Sequence, residues 1–524
     1  MSTPITHESS SHALAEDAEV RDEKERRNQY IGLLGGLLLA VVVYLIFPES
    51  AVETVRELDP DTEFSYHAMR VTAAVAVLMG AWWMTEAIPL AATAMVPLVV
   101  FPFAQVIPIG EIAAPYASPT IYLFMGGFIL ALGMQRWNLH RRLALNVVLL
   151  VGTKPKQLIA GFMIATGFLS MWVSNTATAV VMLPIGVSVL QLTAETVGGM
   201  AKQKKFATGL MLAIAYSASI GSLGTIIGTP PNALLVAYMA ENHDIQIGFG
   251  RWMMVGVPLA AIFMVIAWFV LVNVFKPEID EIPGGRELIR EELDKMGKMG
   301  TGEKLTGIVF GLAAVSWVFV PLVLEQTGWD VQIADAAIGI AAALLLFALP
   351  AGRATHIRLM DWKTANELPW DVLLLFGGGL ALSKMFSDSG LSLWIGELAR
   401  GFEVLPLILL IGAIAVLVLL LTEFTSNTAT AATFLPIMAG VAIGMGLNAA
   451  GDENILLLTI PVALSCTCAF MLPVATPPNA IAYGSGMVKI GDMVKGGVWL
   501  NIIAVILVTL VTYFLAVPIF GLVV

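Results

Sequence analysis

Apolar positions in this chain come as long runs, without the narrow apolar stripe of a surface helix or the period-two alternation of a barrel strand. About 20 helical residues cross the roughly 30 Å hydrocarbon core of a bilayer. The runs 31–47, 71–85, 90–106, 120–134, 252–275, 305–324, 334–349, 370–385 and 494–522 therefore predict transmembrane helices. Four further apolar runs are interrupted. Ser174-Asn175-Thr176 breaks 157–191, and Ser426-Asn427-Thr428 breaks 405–440. Thr229-Pro230-Pro231-Asn232 breaks 206–239, and Thr476-Pro477-Pro478-Asn479 breaks 456–486.

The interruptions are copies of one another. Ser174-Asn175-Thr176-Ala177-Thr178-Ala179 returns 252 positions later as Ser426-Asn427-Thr428-Ala429-Thr430-Ala431. A hydroxyl precedes each copy by four residues (Ser170, Thr422), and a Leu-Pro pair follows (Leu183-Pro184, Leu435-Pro436). Gly126-Gly127 keeps the same offset to Gly378-Gly379, and Gly228-Thr229-Pro230-Pro231-Asn232 matches Ala475-Thr476-Pro477-Pro478-Asn479 at an offset of 247. One polar break in an apolar run is usually a helix cap or a packing patch. Two different breaks, duplicated in order, are the mark of a functional unit present twice.

Loop charge gives a topology. Lys24, Arg26 and Arg27 before the first span place the N-terminus in the cytoplasm by the positive-inside rule. Arg136, Arg141 and Arg142 mark the inner end of the fourth span, after which 137–151 is amphipathic and lies along the interface. Run 157–191 is flanked by Lys154 and Lys156 before it and Lys202, Lys204 and Lys205 after it, so both ends are cytoplasmic and the run is a re-entrant hairpin. Run 206–239 is a discontinuous helix. Arg353, Arg358 and Lys363 mark the inside again, and the second unit then starts from the cytoplasm where the first started from outside. Inverted-topology repeats follow, as in many secondary transporters. The second unit carries an external interfacial helix at 391–402, a hairpin entering from outside and an external C-terminus. The expected fold is an all-α polytopic protein of the plasma (inner) membrane, with about eleven spans and two hairpins. Its parts are a disordered tail 1–30, N-terminal helices 31–116, a first repeat 117–275, a cytoplasmic loop 276–304, linking helices 305–368 and a second repeat 369–524.

Composition agrees: 58% of residues are hydrophobic and 13% charged, with mean hydropathy +0.84. Charged residues make up about a quarter of a soluble protein. The net charge of −11 comes largely from loops and the tail, and it argues against nucleic acid. The polar tail has no apolar run and is not a signal peptide. Cys466 and Cys468 lie in an apolar segment without His or carboxylate neighbours in sequence and read as buried spectators, not a metal site. An intramembrane hydrolase would need a nucleophile with a base, yet His7, His12, His67, His140, His243 and His356 all fall in tails, loops or an interfacial helix. No enzyme and no organic cofactor are expected.

Irregular polar backbone at membrane depth is costly unless it is buried in protein or lines a wet cavity, so the four breaks should surround one central site. Helix N-termini following each break suit anionic groups. Freed carbonyls at Gly228 and Ala475, with oxygens of Ser170, Ser174, Asn175, Thr422 and Asn427, suit a small hard cation such as sodium. No Arg, Lys or His lies in a tip or a break, so a dianion there needs bound cations for charge compensation. Glu423, three residues before Ser426, has two open readings: tuning a cation or carrying a proton, or capping the hairpin. Glu86 reads as structural or interfacial, Lys384 as snorkelling, and the glycine pairs as close-packing positions.

The paired Ser-Asn-Thr and Thr-Pro-Pro-Asn motifs, with Trp83-Met84-Thr85-Glu86-Ala87-Ile88-Pro89-Leu90 and Leu375-Phe376-Gly377-Gly378-Gly379-Leu380, resemble the divalent anion/sodium symporter family over nearly all of 31–524. The resemblance implies a homodimer, each protomer having a scaffold and a mobile transport domain that works as an elevator. It implies one sodium site from Ser170, Ser174, Asn175 and Gly228, and a second from Thr422, Thr425, Asn427 and Ala475. It implies a di- or tricarboxylate held by Asn175, Thr176, Asn427, Thr428, Thr476 and Pro477. A sodium-independent exchanger of the same anions is the alternative, and an anion channel fits two occluding hairpins less well.

Overall fold

In a computed structural model, residues 27 and 29–524 are described, except 59, 61, 153, 280, 283, 328–332, 353–355 and 400–404. Most of the expected N-terminal tail, Lys24, Arg26 and Arg353 lie outside the described residues. The described chain is helical, and its one β-feature is an isolated bridge between Pro350 and Arg358. Eight described helices are long and apolar enough to cross a membrane, among them Gln29–Ile46, Phe249–Val274 and Ile490–Phe520. The third expected span is shorter than its run: it divides into Leu90–Thr93 and Val96–Phe103. Pro97 and Pro102 remove backbone donors there, and Gln105 ends it at positive φ.

Each interrupted run forms as two helices. The first hairpin is Pro155–Ser170 and Asn175–Val197, and the second is Leu407–Thr422 and Asn427–Gly444. The broken helices are Lys204–Ser222 with Pro230–His243, and Leu456–Cys466 with Pro477–Gly484. Proline explains the restarts, because at the first helical position its missing N–H costs nothing and its φ is already helical. Pro230 and Pro477 stand there, each after an extended threonine.

Lys204–Ser222 is the hub, buried along its whole length from Phe206 onward. It approaches Pro155–Ser170 so closely that a methyl group on Gly221 would overlap the backbone of Gly167. Glycine does the same work at Gly126, against the backbone of Gly339, and at Gly378, against that of Ala94. Large apolar side chains remain exposed on the outer helices, such as Leu34, Leu38, Leu45, Val265 and Phe269, as a lipid-facing wall requires.

Two segments read as loops contain helices. Ser50–Leu58 lies in the segment after the first span, and Gly285–Lys295 lies within 276–304. The second packs its buried Ile289 inward. It is fastened to the amphipathic helix Leu139–Val151 by Arg141–Glu292 at 2.7 Å, with Arg142–Glu303 at 2.5 Å beside it. Arg136 pairs with Asp361 at 2.5 Å, and the Thr364 amide together with Arg136 holds the Asp361 carboxyl below the usual carboxylate range.

Candidate functional site

The first turns of four helices meet at one cavity of about 980 Å³. Asn175, Thr176, Pro230, Asn427, Thr428 and Pro477, all first-turn residues, line it. So do Ser174, Gly228, Thr425, Ala475 and Thr476. The two remaining candidates, Ser170 and Thr422, are fully buried just behind the wall. All twelve residues singled out in the sequence thus belong to one constellation. Among the described residues, no Arg, Lys or His lines the cavity. Its charged lining is acidic, Glu86, Glu367 and Asp371, and Gln135 lines it too.

Two matching oxygen clusters flank the cavity. Ser170 Oγ is 2.6 Å from Asn175 Oδ1 and 2.6 Å from the Ala218 carbonyl. Thr422 Oγ1 is 2.7 Å from Asn427 Oδ1 and 2.9 Å from the Cys466 carbonyl. Each cluster brings together three oxygens with a single hydroxyl hydrogen among them. Such a donor-poor set suits a hard cation, which prefers oxygen ligands. Ala218 and Cys466 contribute only backbone, so no side-chain signal in the sequence pointed to them. The Cys466 and Cys468 thiols are themselves fully buried.

Asn232 and Asn479 close the breaks from behind and are fully buried. Asn232 Nδ2 donates to the carbonyls of Ser222 (3.4 Å), Leu223 (3.4 Å) and Thr225 (2.9 Å). Asn479 Nδ2 donates to those of Ala469 and Leu472, both at 3.1 Å. The motif asparagines therefore hold the backbone, and the residues before them face the cavity. Thr476 Oγ1 accepts from the Asn479 amide at 3.3 Å, so its hydroxyl also caps Pro477–Gly484. Thr229 Oγ1 lies 3.2 Å from Thr467 Oγ1, joining the two breaks.

Glu423 is fully buried and does not line the cavity. Its carboxylate accepts from the amides of Phe470 (2.8 Å), Met471 (3.0 and 3.2 Å) and Leu472 (3.2 Å), and from Asn501 Nδ2 at 2.6 Å. The geometry makes it an anchor of the second break and not a cap of the hairpin: three consecutive backbone donors of that break converge on one carboxylate. The first repeat has Met171 at the equivalent position and is tied differently, by the Thr225 hydroxyl donating to the Met171 carbonyl. Asn501 gave no signal in the sequence, being one of several scattered polar residues in an apolar span.

A family model described as "Sodium:sulfate symporter transmembrane region" matches residues 51–521. The chain belongs to this family. Among its relatives, the sodium-dependent dicarboxylate transporter SdcS of Staphylococcus saprophyticus is 40% identical over 505 residues, which cover 95% of this chain and 94% of that protein. SdcS of Staphylococcus aureus strain USA300 is 40% identical over 493 residues, 93% of this chain and 91% of that protein. This family member is a transporter and a multi-pass membrane protein. The structure of the Alcanivorax borkumensis YdaH transporter aligns with a TM-score of 0.49 at 13% identity, covering 86% of this chain and 99% of that one.

Proposed function

We propose that this protein is a secondary carrier that moves a dicarboxylate across the membrane together with sodium. The observation that carries the reading is the pair of matching oxygen clusters flanking a cavity that offers four helix N-termini and, among the described residues, no cationic side chain. Dipoles alone compensate a dianion poorly in a low-dielectric site. Two bound cations would supply the missing charge, and sharing Asn175 and Asn427 between ion and substrate would make their binding mutually favourable. The naming of the SdcS relatives for sodium-dependent dicarboxylate transport supports this reading.

In this reading one sodium binds at Ser170, Ser174, Asn175 and Gly228, and the other at Thr422, Thr425, Asn427 and Ala475. The carboxylates meet Asn175, Thr176, Asn427, Thr428, Thr476 and Pro477. The two units are inverted repeats, and transport is an elevator movement of hairpins and broken helices against the other helices. Loop charge puts Glu86, Gln135, Glu367 and Asp371 on the cytoplasmic side, so the cavity described here faces inward.

Calorimetry of purified protein with succinate tests the coupling. Affinity rises when sodium replaces potassium at equal ionic strength. Affinity indifferent to the cation, with exchange of labelled for unlabelled succinate, would instead establish the sodium-independent exchanger.

A further inference from the structure

The two repeats are alike at some of their packing positions and unlike at others. Gly126 and Gly378 make equivalent backbone contacts, and Ser170, Thr422, Asn232 and Asn479 are all fully buried. Around the breaks and tips the equivalence fails. Ile227, in the first break, is 5% exposed, while its counterpart Val474 is 76% exposed in the cavity. Trp172, at the first tip, is 9% exposed and packs edge-on against Phe310 at 5.1 Å, while its counterpart Phe424 is 71% exposed. The asymmetry reverses one turn beyond the second tip: Ala432 is 3% exposed and its first-repeat counterpart Val180 is 53% exposed.

The second glycine of each pair shows what covers these residues. A Cβ on Gly127 would lie 3.2 Å from Ile227 Cδ1 and 3.6 Å from its Cβ, so Ile227 is seated on Gly127. Gly379 is the counterpart of Gly127, but it faces Ala432 and Leu234, whose atoms would lie 3.2 and 3.6 Å from a Cβ there. Val474, the counterpart of Ile227, is not seated. A bare valine and phenylalanine beside a wet cavity leave apolar surface that another arrangement would bury.

We infer that Gly379 is a second docking seat, occupied by Val474 in the opposite transport state, and that the two glycine seats alternate. When Val474 docks on Gly379, Ile227 leaves Gly127, Phe424 becomes covered, and Val180 takes the position toward Gly127 that Ala432 now holds toward Gly379. This rests on the inverted-repeat carrier reading above and adds to it the residues at which each end state stops. The glycines are the seats because they leave room for the branched side chain of the opposing break: even a lone Cβ on Gly127 would press on Ile227 by a few tenths of an ångström.

Paired cysteines test it. Cβ atoms about 3.5–4.5 Å apart can be bridged by a disulfide, so Gly127→Cys with Ile227→Cys should crosslink in the state described here. Gly379→Cys with Val474→Cys should crosslink only after passage to the opposite state, promoted by sodium and succinate. Each bridge should stop succinate uptake in proteoliposomes, and reduction should restore it. In the second locked form a Val180→Cys reporter should lose at least tenfold in maleimide reactivity, and the cavity residue Thr425→Cys should be reached only from the face opposite to the one that reaches it in the first. Failure of the Gly379–Val474 bridge under turnover, while the Gly127–Ile227 bridge forms and Thr425→Cys is reached from both faces, would overturn the seat and leave the carrier reading standing. Access to Thr425→Cys from one face in every condition would overturn both. Should the glycine variants fail to fold, Val474→Cys labelling alone decides: it should fall when the opposite state is populated, and constant reactivity sinks the proposal.

Discussion

Individual side chains in the cavity wall divide into those that face the cargo and those that hold the frame, and the hydrogen bonds separate them. Asn175 and Asn427 offer their oxygens to the two clusters while lining the cavity. Asn175→Ala and Asn427→Ala should each abolish succinate uptake with the detergent-solubilised protein still folded; near-normal uptake by both would remove the site from this cavity. Glu423 belongs to the frame. A glutamine there keeps the shape but replaces one acceptor oxygen by a donor that faces amide donors, and unsatisfied buried groups cost about 1–3 kcal/mol each. Glu423→Gln should therefore lower the melting temperature markedly. A Glu423→Gln protein of normal stability whose uptake had merely lost its pH dependence would favour the proton-carrier reading instead.

At the scale of elements, the breaks were legible in the sequence because Pro230-Pro231 and Pro477-Pro478 favour a helix restart and because each motif occurs twice. The short helix Leu139–Val151 was legible from its amphipathic period. Gly285–Lys295 was not, since a dense mixed-charge run reads equally as a solvated loop, and only contact with neighbouring helices makes it one. The amphipathic helix beside it depends on Arg142, whose partner Glu303 is 5% exposed. Removing one member of such a pair strands the other charge. Arg142→Met should cost about 3 kcal/mol of stability by that logic, and Arg142→Met with Glu303→Leu should recover much of it in thermal melts. An additive loss in the double variant would show that the pair is not coupled.

For the whole molecule, the resemblance implies a homodimer. Native mass measurement in detergent should find twice the chain mass of 55.9 kDa; a monomer that transports normally would dispose of that expectation. The alternating seats also belong to this scale, because Val474 and Gly379 come from separate elements and meet only if most of two hairpins and two broken helices move together.

By itself the sequence determined that the chain crosses a membrane, that it contains one unit twice, and that four polar breaks concentrate the chemistry. Those conclusions rest on local physics: the cost of polar backbone in hydrocarbon and the donor that proline lacks. Tertiary structure decided what each polar group does. It assigned Asn232 and Asn479 to holding carbonyls, gave Glu423 to the amides of Phe470, Met471 and Leu472, and brought in the carbonyls of Ala218 and Cys466. A side chain's letter states which hydrogen bonds it can make, and only the packing of distant segments states which partners are there to receive them. For the same reason Ile227 and Val474, equivalent in the repeat, part company in space: one has a glycine seat beneath it and the other does not.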